Sequence, residues 1–302
     1  MACGMLAFNR AGVPVERYVA YEVDDAAIAT ASHNFQSIEQ RGDVFVGGFA
    51  EFCGFDYLIG GSPCTYWSVA QKKGREVEAS GLGWELFQQY VRALRQASPE
   101  FFIYENNKSM SRAIRQSISD AFGFEPVYIN SALVSVQTRH RLYWVGRRNT
   151  DGTYSKVEVP QPADRHLYLD EVLTSEDFAP YKGWSAFVRE KADLNEHYDS
   201  TYRVGVTGKS GGQAVRVYDL KGKTVAIQSQ AGGGGARTGL YMVDGAVKAL
   251  SKSGVAKCQT IPAEYEFPVS DNKAISLMGN GWTVDVIAHI LAHTERARQA
   301  TR

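Results

Sequence analysis

The sequence has 302 residues, of which 44% are hydrophobic and 22% charged, and its Lys plus Arg total of 33 equals its Asp plus Glu total of 33. This composition is that of an ordinary globular protein, and a chain of this length can bury a core as one large domain or two unequal ones. A neutral total neither supports nor excludes a nucleic-acid partner, so any basic surface for one must be local. No apolar run reaches the roughly 18 residues of a membrane span, and the start does not resemble a signal peptide.

The four cysteines are too scattered to form a metal or disulfide framework. Cys3, Cys53, Cys64 and Cys258 show no ligand spacing. We therefore expect no metal site, and a reducing cytoplasm as the location.

Short apolar runs alternate with helical patterns in the first half of the chain. The runs predict strands at 18–23, 55–60, 100–106 and 126–133. Apolar residues at three-to-four spacing predict helices at 82–94 and 111–122, the second capped by Ser109 or Ser111. This alternation is typical of an α/β fold with a doubly wound, mostly parallel sheet.

The pattern changes near residue 150. From 151 to 255 the chain is polar, with glycine runs and short candidate strands such as KTVAIQS at 223–229. We interpret this segment as a smaller inserted domain, while 1–150 and 256–302 form the larger one. A further helix is predicted at 283–300, apolar on one face and basic at its carboxyl end.

Reactive side chains fall at or just beyond the ends of three predicted strands. Glu22, Cys64 and Glu105 would share one rim of a parallel sheet, where ligands bind in α/β folds. Glycines and a proline before Cys64 let the backbone pass close to a ligand and then stiffen it. Arg139 and Arg141 point to the same side if their segment is extended. Together these groups suit addition of a thiolate to a planar ring while an acid protonates or hydrogen bonds a ring nitrogen.

Each of these features also has a plain structural explanation. An isolated cysteine is often buried and inert, a glutamate after a strand is often solvated or caps a helix, and paired arginines are often surface charge. A thiol hydrolase that uses Cys64 with His140 is a further alternative, although no oxyanion-donor motif accompanies the pair.

Four ordered motifs resemble those of the DNA cytosine-5 methyltransferases. They are GGSPC at 60–64, ENN at 105–107, QTRHR at 137–141 and GNGWTVDVI at 279–287. The similarity is nearest to the de novo-type branch with phage and bacterial orphan enzymes, and it covers about 1–150 and 257–295. It implies a Rossmann-like methyltransferase domain, S-adenosylmethionine (SAM) as methyl donor and double-stranded DNA as partner. The segment 151–255 then resembles the family's variable target recognition domain.

The resemblance implies a role for each residue of the rim. Cys64 would add to carbon 6 of a flipped-out cytosine, so that carbon 5 accepts the methyl group. Glu105 would contact nitrogen 3 and the exocyclic amine. Arg139 and Arg141 would hold the carbonyl oxygen of the base and neighbouring groups. Gln137 would help to order the loop and is also expected to contact DNA.

A cofactor site is implied in the same way. Glu22 would bind the ribose hydroxyls and Asp43 the adenine amine, while Pro63 would fix the loop and touch the cofactor. The other implied cofactor residues are Gly4, Asn280, Gly281 and Trp282.

Two basic stretches are predicted to contact DNA. Lys72, Lys73 and Arg75 follow the nucleophile in a glycine-containing loop, which indicates a lid over the phosphates or, alternatively, a solvated surface loop. Arg237 lies in the glycine run AGGGGARTG, where it would read guanine unless the run is a flexible turn.

Three positions depart from the family pattern. The chain begins inside the first motif, so we expect its first strand to lie upstream or to be lost. Thr65 follows the nucleophile, and ENN replaces the commoner Glu-Asn-Val. Two alternatives stay open: a catalytically impaired DNA-binding relative and a tRNA cytosine-5 methyltransferase.

Overall fold

The computed structural model describes residues 1–69, 74–181, 186–208, 212–230 and 235–300. Its first elements are helix α1 Cys3–Ala11, strand β1 Tyr18–Ala20, helix α2 Asp25–Asn34 and strand β2 Ile38–Gln40. β1 and β2 pair in parallel as a separate two-stranded sheet. The strand predicted at 18–23 is therefore shorter than expected, and Glu22 lies just beyond its end.

A five-stranded sheet contains the other predicted strands of the first half. The elements here are β3 Tyr57–Gly60, helix α3 Gly81–Ala97, β4 Phe101–Asn107, helix α4 Arg112–Phe122, β5 Val127–Asn130, β6 His140–Arg148 and β7 Tyr154–Lys156. The strand order is β3-β4-β6-β5, and β7 pairs with β6. β3 and β4 are parallel, whereas β6 is antiparallel to β4, β5 and β7. The α/β class is confirmed. The five-stranded sheet is mixed, because β5 and β6 are joined by a connection short enough for an antiparallel pair.

Helices α3 and α4 match the predicted periodicity. Ser111 caps α4, since its Oγ accepts a hydrogen bond from the Ile114 backbone N–H at 3.1 Å. The helix ends at Gly123, whose φ of 84° is left-handed. Phe87 of α3 and Ile114 of α4 are fully buried in one cluster with Trp144 of β6. Both helices therefore cover the same face of the five-stranded sheet.

A six-stranded sheet lies within 178–250. After the short helix α5 Leu169–Val172, its strands are β8 Phe178–Pro180, β9 Phe187–Arg189, β10 Arg203–Thr207, β11 Arg216–Tyr218, β12 Leu240–Val243 and β13 Ala246–Leu250. The strand order is β8-β13-β12-β11-β10-β9. The strand predicted at 223–229 is wrong, because Thr224 forms an isolated bridge with Gln137 and the segment joins none of the three sheets.

One hydrophobic cluster joins the two larger sheets. The last helices are α6 Lys252–Cys258, α7 Asp271–Asn280 and α8 Val284–Gln299. The cluster contains Ile103 and Val145 from the five-stranded sheet, Tyr241 and Leu250 from the six-stranded sheet, and Ile287 from α8. The two larger sheets therefore share one hydrophobic core, and β7 belongs to the five-stranded sheet although it follows the predicted boundary near 150.

The stretch Asp271–Gln299 is long and apolar enough to cross a membrane by length and composition. It comprises α7 and α8, and 72% of its most apolar window is buried inside the protein. The core helix of a globular protein passes the same test.

Candidate active site

The candidate nucleophile lies just beyond β3. Cys64 is half-buried and begins a 3₁₀ turn after Gly61, Ser62 and Pro63. A Cβ atom at Gly61 would lie 2.4 Å from the backbone oxygen of Glu105. Only glycine allows the chain to pass this close to β4, so the approach brings the Cys64 loop next to the candidate acid.

Two asparagines of β4 hold the loop that carries Cys64. Asn106 Nδ2 donates to the Ser62 carbonyl oxygen at 3.1 Å, and Asn107 Nδ2 donates to the Cys64 carbonyl oxygen at 3.3 Å. Both asparagines are buried, so their amides require protein partners. Asn107 departs from the Glu-Asn-Val pattern, and this departure supplies a hydrogen bond to the backbone of the candidate nucleophile.

The candidate acid, Glu105, is held from two sides. Arg141 Nε lies 2.9 Å from Oε1, and Trp282 Nε1 donates to Oε2 at 2.9 Å. The side chains of Glu105 and Arg141 are 12% and 13% exposed. The ion pair does not have hydrogen-bond geometry, and the buried Oε1 has no hydrogen-bond partner among the described residues. An unsatisfied buried oxygen of this kind is available to a ligand.

The two arginines of the QTRHR motif have different environments. Arg141 faces the candidate acid, whereas Arg139 is buried and donates to the backbone oxygens of Ile227, Gly279 and Gly281 at 2.8, 3.0 and 2.8 Å. Burial, followed by the charge of Arg141, lowers the pKa of Arg139 to about 10. Arg139 therefore braces backbone from two distant segments, which does not agree with its predicted role of holding the base.

The predicted adenosine residues lie beyond the ends of β1 and β2. Glu22 Oε1 accepts hydrogen bonds from the backbone N–H groups of Val23 and Asp24, and no described residue donates to Oε2. Asp43 Oδ1 accepts one from the Phe45 N–H at 2.9 Å. Because β1 and β2 are parallel, both carboxylates follow the same edge of this sheet.

Exposed apolar side chains adjoin these two carboxylates in the chain. Val23, Phe45 and Val46 are 69%, 39% and 83% exposed. Adenosine combines an apolar ring with hydroxyl and amine donors, and such ligands bind where apolar surface surrounds a few acceptors. The residues present therefore fit the adenosine half of SAM.

The other predicted cofactor glycines are closely packed. A Cβ atom at Gly4 in α1 would lie 2.3 Å from Ile59 Cδ1 of β3, and one at Gly281 would lie 2.9 Å from Cys3 Sγ. Asn280 is exposed at the end of α7. The start of α1 and the turn at 280–282 are therefore direct neighbours.

The loop after the nucleophile is anchored at its described end. Arg75 Nε donates to the Trp67 carbonyl oxygen at 3.1 Å, and its Nη2 donates to that of Ser109 at 2.7 Å. These bonds attach the loop to the segment that precedes α4. Lys72 and Lys73, the other predicted phosphate contacts, lie outside the described residues.

Two further residues predicted to contact DNA make contacts within the protein. Gln137 is completely buried, donates to the Cys258 carbonyl oxygen and accepts from the Ile227 N–H. Burial excludes its predicted direct contact with DNA, whereas its bonds suit the loop-ordering role. Arg237 donates to the backbone oxygen and to Oδ1 of Asn272, at 3.1 and 2.8 Å.

The histidine of the alternative hydrolase is directed elsewhere. His140 Nδ1 hydrogen bonds the hydroxyl of Tyr128, over whose ring Lys108 Nζ lies at 4.4 Å from the centroid. No histidine in the described part of the chain hydrogen bonds Cys64. A Cys–His pair is therefore not assembled at this rim.

Two contacts at the site are hard to predict from the sequence. Trp282 lies 177 residues beyond Glu105, and Gly279 lies 140 residues beyond Arg139. Pairs this distant depend on how the whole chain folds. The available signal was the pair of glycines around Asn280, since glycine marks places where backbone is approached closely.

Comparison with known proteins supports the resemblance. The chain matches the family model of the C-5 cytosine-specific DNA methylases over residues 2–296. Type II methyltransferase M.HhaI of Haemophilus parahaemolyticus is 24% identical over 247 residues, which are 78% of this chain and 74% of that protein. Orphan methyltransferase M.SPRI of Bacillus phage SPR is 34% identical over 155 residues, 47% of this chain and 34% of that protein.

Solved structures show the same fold. The S. pombe Dnmt2 methyltransferase superposes with a TM-score of 0.64 and 12% identity, covering 96% of this chain and 94% of that one. A putative DNA modification methyltransferase encoded within an E. coli prophage gives a TM-score of 0.64 with 17% identity and the same coverage. These neighbours confirm the Rossmann-like methyltransferase fold. Because the family model spans nearly the whole chain, the protein belongs to the C-5 cytosine-specific DNA methylases.

Proposed function

We propose that this chain transfers a methyl group from SAM to carbon 5 of cytosine in double-stranded DNA. The observation that carries the proposal is the approach of the Cys64 loop to Glu105, with Arg141 beside the acid. A thiol, a carboxyl group and a guanidinium are the groups that addition to a pyrimidine requires. Membership of the family supports the same reaction class.

Cys64 is the residue that activates the base in this mechanism. Its thiolate sulfur forms a bond to carbon 6, and the displaced ring electrons make carbon 5 nucleophilic. SAM, when bound, supplies the methyl group that carbon 5 takes up. Loss of the carbon 5 proton to solvent then expels the Cys64 thiolate and restores the ring double bond.

Glu105 and Arg141 hold the ring during this sequence. Glu105 Oε1 is buried and has no hydrogen-bond partner in the described part of the chain, so we assign it to nitrogen 3 and the exocyclic amine of cytosine. Arg141 lies 2.9 Å from the same oxygen, and we assign it to the carbonyl oxygen of the base. Fixed groups of this kind stabilise the charge that develops on the ring when the sulfur adds.

The target nucleotide must leave the duplex before it can react. A paired and stacked cytosine cannot present carbon 6 to a thiol, and flipping the nucleotide out costs a few kcal/mol. Contacts in the pocket formed by the Cys64 loop, Glu105 and Arg141 offset this cost.

The cofactor is assigned to the edge of the two-stranded sheet. Glu22 would accept the ribose hydroxyls and Asp43 the adenine amine, beside the exposed apolar side chains of Val23 and Phe45. Gly4, Pro63 and the turn Asn280, Gly281 and Trp282 would face the methionine end. In this proposal the methyl donor lies between the two-stranded sheet and the Cys64 rim.

Target recognition is assigned to residues 151–255, with the six-stranded sheet as their frame. Lys72, Lys73 and Arg75 are proposed to meet phosphates, and Arg237 to read guanine after releasing Asn272. Local basic residues are needed because the whole chain has no net charge. We place the enzyme in the cytoplasm of a bacterium or a phage-infected cell, as an orphan or restriction-modification enzyme.

The test is transfer of labelled methyl from SAM to mixed-sequence duplex DNA and, separately, to tRNA. We expect label in the duplex with the native chain and with Cys53→Ala, which removes an exposed cysteine as a matched control, and none with Cys64→Ala. Label in tRNA alone would make tRNA the substrate. Binding of SAM and DNA without transfer would identify a DNA-binding relative that lacks activity.

A further inference from the structure

We propose that Trp282 is a positioning residue for Glu105. Its indole N–H holds Oε2 and so leaves Oε1 as the oxygen that meets the base. This inference rests on the proposed function and extends it, because the resemblance places Trp282 with the cofactor and assigns it no contact with the acid.

The chemistry of the indole determines which oxygen of Glu105 can carry a proton. Trp282 Nε1 donates to Oε2 at 2.9 Å, and an indole nitrogen can donate a hydrogen bond but cannot accept one. Oε2 must therefore act as the acceptor. Any proton that Glu105 shares with the base is confined to Oε1, the buried oxygen that has no hydrogen-bond partner among the described residues.

Buried bonds fix the position of the indole. Trp282 follows Gly281 directly, and the Gly281 backbone oxygen accepts from Arg139 Nη2 at 2.8 Å. The same nitrogen of Arg139 also holds the Gly279 oxygen at 3.0 Å, and Arg139 is only 3% exposed. The turn that presents Trp282 is therefore braced from inside the protein, which lets the indole act as a fixed reference for the acid.

The ring and the N–H of Trp282 can serve different partners. The face of an aromatic ring is apolar and can pack against a cofactor, whereas the bond to Glu105 uses the N–H alone. Trp282→Phe keeps an aromatic ring and removes the donor. This variant therefore separates positioning of the acid from contact with the cofactor.

The kinetic experiment uses the full chain with labelled SAM and duplex DNA. For Trp282→Phe we expect kcat to fall roughly tenfold, the loss typical of one hydrogen bond to a charged group, while the SAM Kd from calorimetry and the KM for DNA stay within about twofold. Trp84→Phe is the matched control, since Trp84 is half-buried against Phe87 on α3 and should leave kcat unchanged. A weaker SAM Kd with unchanged kcat would overturn the proposal.

A double variant tests whether Trp282 acts through Glu105. If it does, Trp282→Phe has no further effect on the residual single-turnover rate in a Glu105→Ala background, which removes the acceptor of the indole N–H. Two losses that multiply would show that Trp282 acts independently of the acid and would overturn the proposal.

A spectroscopic measurement that needs no catalytic turnover tests the inference independently of the proposed function. The chain has five tryptophans, and Trp282→Phe identifies the Trp282 indole signal in a spectrum of ¹⁵N-tryptophan-labelled protein. We expect Glu105→Ala, which removes the acceptor, to move this signal and Glu125→Ala, an exposed control, to leave it in place. An unmoved signal in Glu105→Ala would refute the bond. This result decides the inference even if the native chain transfers no methyl group.

Discussion

Arg139 shows how a residue beside the reactive groups can be mainly structural. It is buried, and its guanidinium holds three backbone oxygens from the segment at 227 and the turn at 279–281. A guanidinium can saturate several acceptors at once because its donors have a fixed planar arrangement. The neighbouring arginine of the same motif, Arg141, faces the acid instead.

The first prediction concerns the loss of this brace. Arg139→Ala removes the donor to the carbonyl oxygens of Ile227, Gly279 and Gly281, so we expect the free energy of unfolding to fall by about 3 kcal/mol. Urea unfolding monitored by circular dichroism measures the change. Arg112→Ala, at an exposed position of α4, is the control and should change stability by less than about 0.5 kcal/mol. Native stability in Arg139→Ala would contradict the assigned role.

At the scale of single residues, the sequence indicates where the candidate reactive groups lie but not which residues hold them. Cys64 and Glu105 could be placed at strand ends because strand ends are local features of the sequence. The hydrogen bonds of Arg139, Gln137 and Trp282 could not be predicted in this way, since each joins segments more than 80 residues apart. Arginines two residues apart in an extended segment point to one side, but their partners depend on the packing around them.

At the scale of elements, α7 packs closely against the segment that follows Thr224. A Cβ atom at Gly279 would lie 2.3 Å from the Ser229 backbone nitrogen and 2.4 Å from the Gln228 carbonyl carbon. Both are backbone atoms, so no side-chain rotation can relieve the contact. Glycine at 279 is therefore required by this helix contact.

The second prediction follows from this contact. Gly279→Ala should lower the free energy of unfolding by about 1–3 kcal/mol, the range for overpacking at a rigid site. It should also lower kcat, since the same turn presents Trp282 to Glu105. The matched control is Gly212→Ala, because a Cβ atom there has no neighbour within 4 Å. Thermal unfolding of both variants measures the difference, and equal midpoints would refute the packing argument.

The third prediction concerns the join between the 3₁₀ turn at 175–177 and helix α6. Burial alone raises the pKa of Asp177, but hydrogen bonds from Lys257 and from the Thr174 N–H outweigh it and leave the pKa below its ordinary value. A carboxylate with a lowered folded pKa contributes stability above its unfolded value of about 3.9, and that contribution is lost as the pH falls through the folded pKa.

Asp177→Asn should therefore flatten the dependence of stability on pH below about 4, while it lowers stability at neutral pH. Urea midpoints measured from pH 3 to pH 6 test this expectation. Asp120→Asn, on the exposed side of α4, should keep the native pH slope. A native slope in Asp177→Asn as well would show that the carboxylate contributes no pH-dependent stability.

The helices of the protein could be predicted from the sequence, whereas the pairing of the strands could be predicted only in part. Helical periodicity and capping are local, so α3, α4 and α8 lie close to their predicted bounds. Strand direction is set by distant partners, which is why the mixed five-stranded sheet was not indicated. The apolar run at 223–229 has strand composition, but its neighbours are Gln137 and α7 and not a sheet edge.

At the scale of the whole molecule, the sequence composition indicates two domains, whereas hydrophobic packing joins their two sheets in one core. The polar, glycine-containing segment from 151 to 255 does contain a sheet of its own. Its inner residues, such as Tyr241 and Leu250, nevertheless belong to the same hydrophobic cluster as Ile103 and Ile287. Composition reports how polar a segment is on average and does not report which apolar residues meet across it.

The last prediction tests this shared core. A common hydrophobic cluster should make the two sheets unfold together, so calorimetry should show one transition. SAM at 100 times its Kd should stabilise the folded chain by about 2.7 kcal/mol and move that entire transition upward. Glu22→Gln, which weakens the proposed ribose contact, should reduce the shift. A second transition that SAM leaves unmoved would mean that the six-stranded sheet folds independently of the sheets to which the cofactor site is assigned.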